Sequence, residues 1–316
     1  MKKFLGVVLA ISLLATGSVF AKSKKDSKKQ KFTVGMTVQD LTNQVWSATA
    51  VNLSKLISAD GGKLTYLDCK NNSATQIQQI ENFVSRGVTA LIVHPVDKNS
   101  VETSLAEARK RGIKVFCWDE DIENADLCWL IDNYNEGKIV GEYAAKWINE
   151  KLNGSAEVAV LDYPQIEILL QRANGIVDAI KENAPKAKIV AQSSAINPTE
   201  GMEKMETIFQ KNPNVKVVCC IGGGGAIGAV EAAKAAGKNT ADFGIFAVDG
   251  TDQEMEAIKG GVGERMSILN TGTPKVMAEV IYDLLKQMTA GTLPNKIVYR
   301  EAIPVTAENV DKYYKK

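Results

Sequence analysis

Five carboxylates of this 316-residue chain, Asp119, Glu120, Asp162, Glu167 and Asp249, each lie at or just beyond the end of a short apolar run. Asn43 and Trp46 follow the first such run, and Asn270 ends a later one. Carboxylates and amides bond the hydroxyls of a small polar molecule, and an indole ring covers the apolar face of a sugar or stacks on a base. The same carboxylates could supply an acid and base pair for glycoside hydrolysis. Other chemistry is thinly represented. The single histidine, His94, precedes Pro95 and is read as a loop-positioning or hydrogen-bonding residue, because a triad or a histidine metal site is hard to build from one imidazole. No GxSxG elbow, HExxH or phosphate loop is present. Gly223 to Gly228 (GGGAIG) forms a formal GxGxxG after a strand, with Asp249 ending the next strand where a ribose-binding acid would stand. It falls deep in the second half instead of opening a domain. The preferred reading is a βα turn, beginning at Gly222, whose glycines let a ligand or a facing lobe approach the backbone. No cofactor and no metal are expected.

These residues need elements to position them. From residue 32 on, β-rich runs (FTVGMTV, KLTYLDC, ALIVH, IKVFCW, LCWLI, EVAVL, KIVAQ, VKVVCCI, FGIFAV, ERMSIL, KIVYR) alternate with segments of helical period such as 74–86, 100–111, 134–152, 201–210 and 226–237. Gly87, Gly112 and Gly237 each follow an amphipathic run and precede a strand, as a left-handed cap would. This alternation predicts an α/β protein with doubly wound parallel sheets covered by helices on both faces. A waist near Ile131, Asp132 and Asn133 divides the series in two. In such sheets ligands bind outside the carboxyl ends of the strands, which is where Trp46, the carboxylates, Gly222 and Asn270 fall. Trp118, Trp129 and Trp147 are read as packing residues.

Length and charge narrow the classes. Lys2 and Lys3, the apolar run Phe4 to Ala15 and Val19-Phe20-Ala21 read as a signal peptide, residues 1–21, cleaved after Ala21. The run is too short for a resident membrane helix, so an exported, soluble protein without stable membrane insertion is expected. Residues 22–31 hold six lysines and one aspartate and read as a solvated linker, with an anionic membrane surface as the alternative. Without both segments the 38 basic residues fall to 30 and the 37 acidic ones to 36, a mildly acidic body that argues against nucleic acid. The five cysteines are too few and too irregular for a disulfide framework. A Cys117 to Cys128 bridge is conceivable in an oxidising compartment, whereas Cys219 and Cys220 read as small core residues on opposite strand faces.

Taken in order, VGMTVQDLTNQVWSAT, LDCKNNSATQIQQIENFVSRGVTALIVHPVD, IKVFCWDEDI and FAVDGTDQEMEAIKGG resemble the ribose and galactose type of periplasmic sugar-binding proteins, the receptors of ABC importers. The resemblance spans the mature chain. It implies the type I periplasmic binding fold: lobe one of residues 31–132 with 272–301, lobe two of 133–271 with 302–316, and three hinge strands between them. It implies a non-catalytic receptor that closes on one sugar or polyol and delivers it to an ABC permease, with a chemoreceptor as a further partner. Asn43, Trp46, Asp119 and Asp249 match positions that contact sugar in the family, and Glu120, Glu167, Gly222 and Asn270 complete the expected set. Departures are Leu170 and Gly222 where sugar receptors commonly carry arginine and asparagine, and Glu120 where ribose receptors carry arginine. They imply a roomier, more acidic pocket than a pentose site, leaving a nucleoside or a cationic metabolite as alternatives and an exported glycosidase as the enzymatic one.

Overall fold

The computed structural model describes residues 32–315, so the signal segment and the lysine-rich linker expected from the sequence lie outside the described residues. Strands β1 (Thr33–Val38), β2 (Lys63–Asp68), β3 (Ala90–Val93), β4 (Lys114–Trp118) and β5 (Leu127–Leu130) alternate with helices α1 (Gln44–Ala59), α2 (Ser73–Ser85) and α3 (Lys98–Lys110). Helix α4 (Asn133–Lys151) opens a second series. In it β6 (Glu157–Asp162), α5 (Glu167–Asn183), β7 (Lys188–Ser194), α6 (Pro198–Lys211) and β8 (Val215–Cys220) lead to α7 (Gly223–Ala235), β9 (Gly244–Val248), α8 (Asp252–Lys259) and β10 (Glu264–Asn270). Helix α9 (Pro274–Ala290), strands β11 (Ile297–Tyr299) and β12 (Ala302–Thr306) and the single turn α10 (Val310–Tyr313) follow.

Local chemistry sets these boundaries. Asn43, Asn72, Asp97, Asp132 and Asn197 each accept a hydrogen bond from a first-turn N–H of the helix they precede, satisfying donors that the helix leaves open. Gly87, Gly112 and Gly237 take the left-handed conformation expected of them, with φ of +64°, +77° and +64°.

Two six-stranded sheets result, ordered β11-β5-β4-β3-β1-β2 and β12-β10-β9-β8-β6-β7. Every pairing is parallel except β10 with β12. In the first sheet α1 and α9 bury Leu53, Ile57, Ile281 and Leu285 against one face, and α2 and α3 bury Ile80, Phe83 and Leu105 against the other. In the second, α4 and α5 cover the face that carries Cys219, while α6 and α7 cover the face that carries Cys220. The chain passes between the sheets three times: after β5, after β10 and between β11 and β12.

Two features differ from the sequence reading, and the disulfide raised there as an alternative is not formed. AIPVT, not recognised as a strand, forms the antiparallel edge β12; Pro304 lacks an N–H and is tolerated because the strand has a neighbour on one side only. Cys117 and Cys128 are direct partners on β4 and β5, yet both are buried free thiols. The glycines of α7 meet a helix of their own sheet. A Cβ on Gly224 would strike the Ile196 carbonyl and one on Gly228 the Pro198 carbonyl, so α6 and α7 touch backbone to backbone.

Candidate functional site

The carboxyl end of β1 leads into α1 through a loop closed by Asn43, whose Oδ1 accepts from the N–H groups of Val45 and Trp46 at 3.0 and 3.2 Å. This cap orients the first helical turn and, with it, the half-buried indole of Trp46. The ring meets His94 edge to face, centroids 4.4 Å apart, and His94 lies in turn 5.3 Å from Trp118. His94 is 3% exposed. Burial lowers its pKa to about 4; the Asp119 charge opposes this, and Arg300 adds to it, so the imidazole is neutral at physiological pH.

Asp119 follows β4 with φ of +64°, and Asp249 follows β9 with φ of +106°. Carboxylate residues held in this disfavoured region at strand ends mark positions that the surrounding structure over-determines. Asp119 is gripped by Arg300, whose Nη1 lies 2.9 Å from Oδ1 and 3.3 Å from Oδ2. The guanidinium also lies 4.8 Å over the ring of Trp129. On the other sheet, Oδ2 of Asp249 accepts from the Gly223 N–H at 2.8 Å, tying the β9 loop to the positive end of α7. Below this loop Thr251 and Glu254 form a reciprocal cap, and Glu254 also accepts from Ser267 at 2.7 Å. Burial, reinforced by the Asp249 charge, raises the Glu254 pKa to about 7.

A cavity of about 740 Å³ opens between these elements, with walls from both sheets. Asn43, Trp46 and Met277 line it on one side, Asp249, Thr251 and Asp252 on the other, with Ile131, Asn270 and Arg300 where the chain crosses. Asn270 presents a buried Oδ1 without a hydrogen-bond partner among the described residues. Behind it Glu136 pairs with Arg172 at 2.9 Å, and Arg172 donates to Asn133 Oδ1 and the Ile221 carbonyl, both at 2.6 Å. The arrangement offers an aromatic face, hydrogen-bond acceptors from both sheets and one ordered guanidinium donor. Among the described residues no group of three or more His, Cys, Asp or Glu side chains could hold a metal ion.

Of the residues selected from sequence, Asn43, Trp46, Asp249 and Asn270 line this cavity, and Asp119 is bonded to a residue that does. Gly222 lies beside Asp249: a Cβ there would stand 3.0 Å from Oδ2, so a larger residue would crowd the carboxylate. Glu120 is half buried, its pKa raised by burial, and is outside the lining. Glu167 is exposed at the start of α5, 3.4 Å from Gln171, and is likewise outside it. Arg300 was missed. It ends the run KIVYR, and the strand-end rule that selected the other residues, applied to this last strand, would have found it.

Two sheets wound in this way, open to one another at the carboxyl ends of their strands, define a two-lobed binding protein. The periplasmic binding protein domain model matches residues 34–293, and the chain belongs to that family. It is 28% identical to the ribose import binding protein of Bacillus subtilis over 267 residues, 82% of this chain and 85% of that protein. It is also 28% identical to the galactofuranose-binding protein of Escherichia coli over 310 residues, 94% and 95% of the two chains. Among solved structures, a galactofuranose-binding protein superposes with a TM-score of 0.67 at 26% identity, covering 89% of this chain and 97% of that one. A periplasmic solute-binding protein of an Actinobacillus succinogenes ABC transporter, with bound D-allose, shares the fold with a TM-score of 0.74 at 22% identity, covering 90% and 100%. These relatives are binding proteins, not enzymes, and the type I periplasmic binding fold inferred from sequence is the fold of this chain.

Proposed function

We propose that this protein is an exported receptor that captures a sugar or related polyol in the cleft between its sheets and delivers it to an ABC import permease. The observation that carries this reading is the cleft lining: an indole face beside acceptors and donors contributed by both sheets, the combination that a ring with apolar C–H faces and hydroxyl edges requires. The relatives support it, being binding proteins for ribose, galactofuranose, xylitol and xylose. In this reading Trp46 covers a ring face, while Asn43, Asp119, Asp249 and Asn270 take hydroxyls. Lobe one, residues 31–132 with 272–301, closes on lobe two, 133–271 with 302–316, about the three crossings. Ligand contacts made by both lobes select the closed form. The signal segment directs export with cleavage after Ala21, and the closed form is what the permease, and a chemoreceptor where one is present, recognises.

Thermal unfolding of residues 22–316 against sugars, polyols, nucleosides and polyamines, after unfolding and refolding to strip carried ligand, tests this. A ligand at 100 times its dissociation constant adds ~2.7 kcal/mol to the folded state. One sugar or polyol should shift the midpoint clearly, and Trp46→Ala should reduce that shift by weakening binding at least ~10-fold, as expected for loss of an aromatic contact. A shift from polyamines or nucleosides alone would overturn the sugar assignment, and unchanged affinity in Trp46→Ala would remove that residue from the pocket.

A further inference from the structure

Arg300 lies on the third crossing between the sheets and is bonded to the other two. Its N–H donates to the carbonyl of Leu130, the last residue of β5, at 2.7 Å, where the first crossing begins. Its Nε lies 3.4 Å from Oγ1 of Thr271 in the second crossing, and the Thr271 N–H donates back to the Glu301 carbonyl at 2.7 Å. Thr271 is buried and holds φ of +61°, a conformation that a β-branched residue keeps only when its surroundings enforce it. The Arg300 side chain is 7% exposed, held by Asp119 and Trp129, yet it lines the cleft. Its Nη2 has no hydrogen-bond partner among the described residues. A simple counter-charge for Asp119 would need neither the contact to Thr271 nor the open donor.

We infer that Arg300 is a positioning residue that couples occupancy of the cleft to the movement of the crossings. The guanidinium is a planar fork whose N–H groups cannot reorient independently. An acceptor oxygen of a bound molecule, on reaching Nη2, fixes the fork and with it the Nε contact to Thr271. The second and third crossings are thereby held in one relative position while the cleft is occupied. Without an occupant the fork is held by Asp119, Trp129 and the long Thr271 contact, its Nη2 stays open, and the crossings keep more freedom. The occupancy half of this inference rests on the receptor reading above; the mechanical link between crossings does not.

Amide hydrogen exchange on the ligand-free protein tests the link directly. In Arg300→Lys, where the charge beside Asp119 survives but the fork is lost, the Thr271 and Arg300 amides should exchange about ten-fold faster, with those of β3 and β9 unchanged. Thr271→Val, which removes only the acceptor oxygen, should reproduce most of that change, and the double variant should be no faster than Arg300→Lys alone. Wild-type protection of both amides in Arg300→Lys, or additive effects in the double variant, would reduce Arg300 to a counter-charge and overturn the inference. If Arg300→Lys loosens the whole fold, the Thr271→Val result decides. D-ribose, D-xylose, D-allose and myo-inositol serve as probes of occupancy. A probe that raises the unfolding midpoint should slow exchange of the crossing amides in wild type, and bind without slowing it in Thr271→Val, whose cleft lining is intact. Equal slowing in both would overturn the coupling. If no probe moves the wild-type midpoint, the sugar assignment fails for these compounds while the ligand-free exchange still decides the link.

Discussion

Replacing His94 by glutamine should change how the stability of this protein responds to acid. The imidazole is buried between Trp46 and Trp118, and its Nδ1 has no hydrogen-bond partner among the described residues. Burial brings its pKa from 6.5 to about 4, against the partial opposition of Asp119, whose Oδ2 lies 3.7 Å from Nε2, and with added repulsion from Arg300. As pH falls, the unfolded chain therefore takes the proton first. The stability contributed by the neutral ring is fully present above about pH 6.5 and is lost progressively toward pH 4. The difference of 2.5 units, at 1.36 kcal/mol each, is worth about 3 kcal/mol. Urea unfolding of wild type and His94→Gln across this window measures it, because every other titrating group contributes nearly equally to both curves. The advantage of wild type over the variant should shrink by about 3 kcal/mol between the two ends. Parallel stability curves would refute the argument, since they would mean that the ring is protonated in the native protein as readily as in the unfolded chain.

Two further outcomes follow from buried features of the second sheet. Glu254 has a native pKa raised from 4.5 to about 7, so the native state holds its proton longer than the unfolded chain does. Its contribution to stability is full below about pH 4.5 and is lost as pH rises toward 7, so Glu254→Gln should gain on wild type across that window in the same urea assay. The sign is opposite to that for His94. Gly228→Ala should lower stability by about 1–3 kcal/mol or more, because the new methyl meets the Pro198 carbonyl and the Met202 N–H of α6, which are backbone and cannot swing aside. A thermal midpoint equal to wild type would show that α6 and α7 can separate at little cost.

Much of the fold is legible in the residues. Runs such as ALIV and VKVVCC are too short for buried helices and too apolar for surface strands, and the capped amphipathic segments between them leave parallel pairing as the way to bury both faces. Helix starts fall one to three residues earlier than the apolar period suggests, because residues such as Asn72 and Asp97 cap turns whose first positions are polar. Strand β12 escapes this reading: an edge strand with one neighbour has no need of the apolar pattern that identifies a buried one.

The candidate site divides along the same line. The chain by itself determined two wound sheets, their caps, and the placing of Asn43, Trp46, Asp119, Asp249 and Asn270 at strand ends, because alternation and capping are properties of neighbouring residues. Which of these polar groups share a cavity, and which are already committed, was decided only by tertiary structure. Asp119 is held by Arg300, 181 positions away, and Asp249 by the N–H of Gly223, 26 positions away. Glu120, in the loop after β4, and Glu167, at the start of α5, stay outside the cleft. Local pattern carries no record of such pairings, because each joins the ends of strands that share a sheet but lie far apart in the chain, and each partner is placed by its own strand.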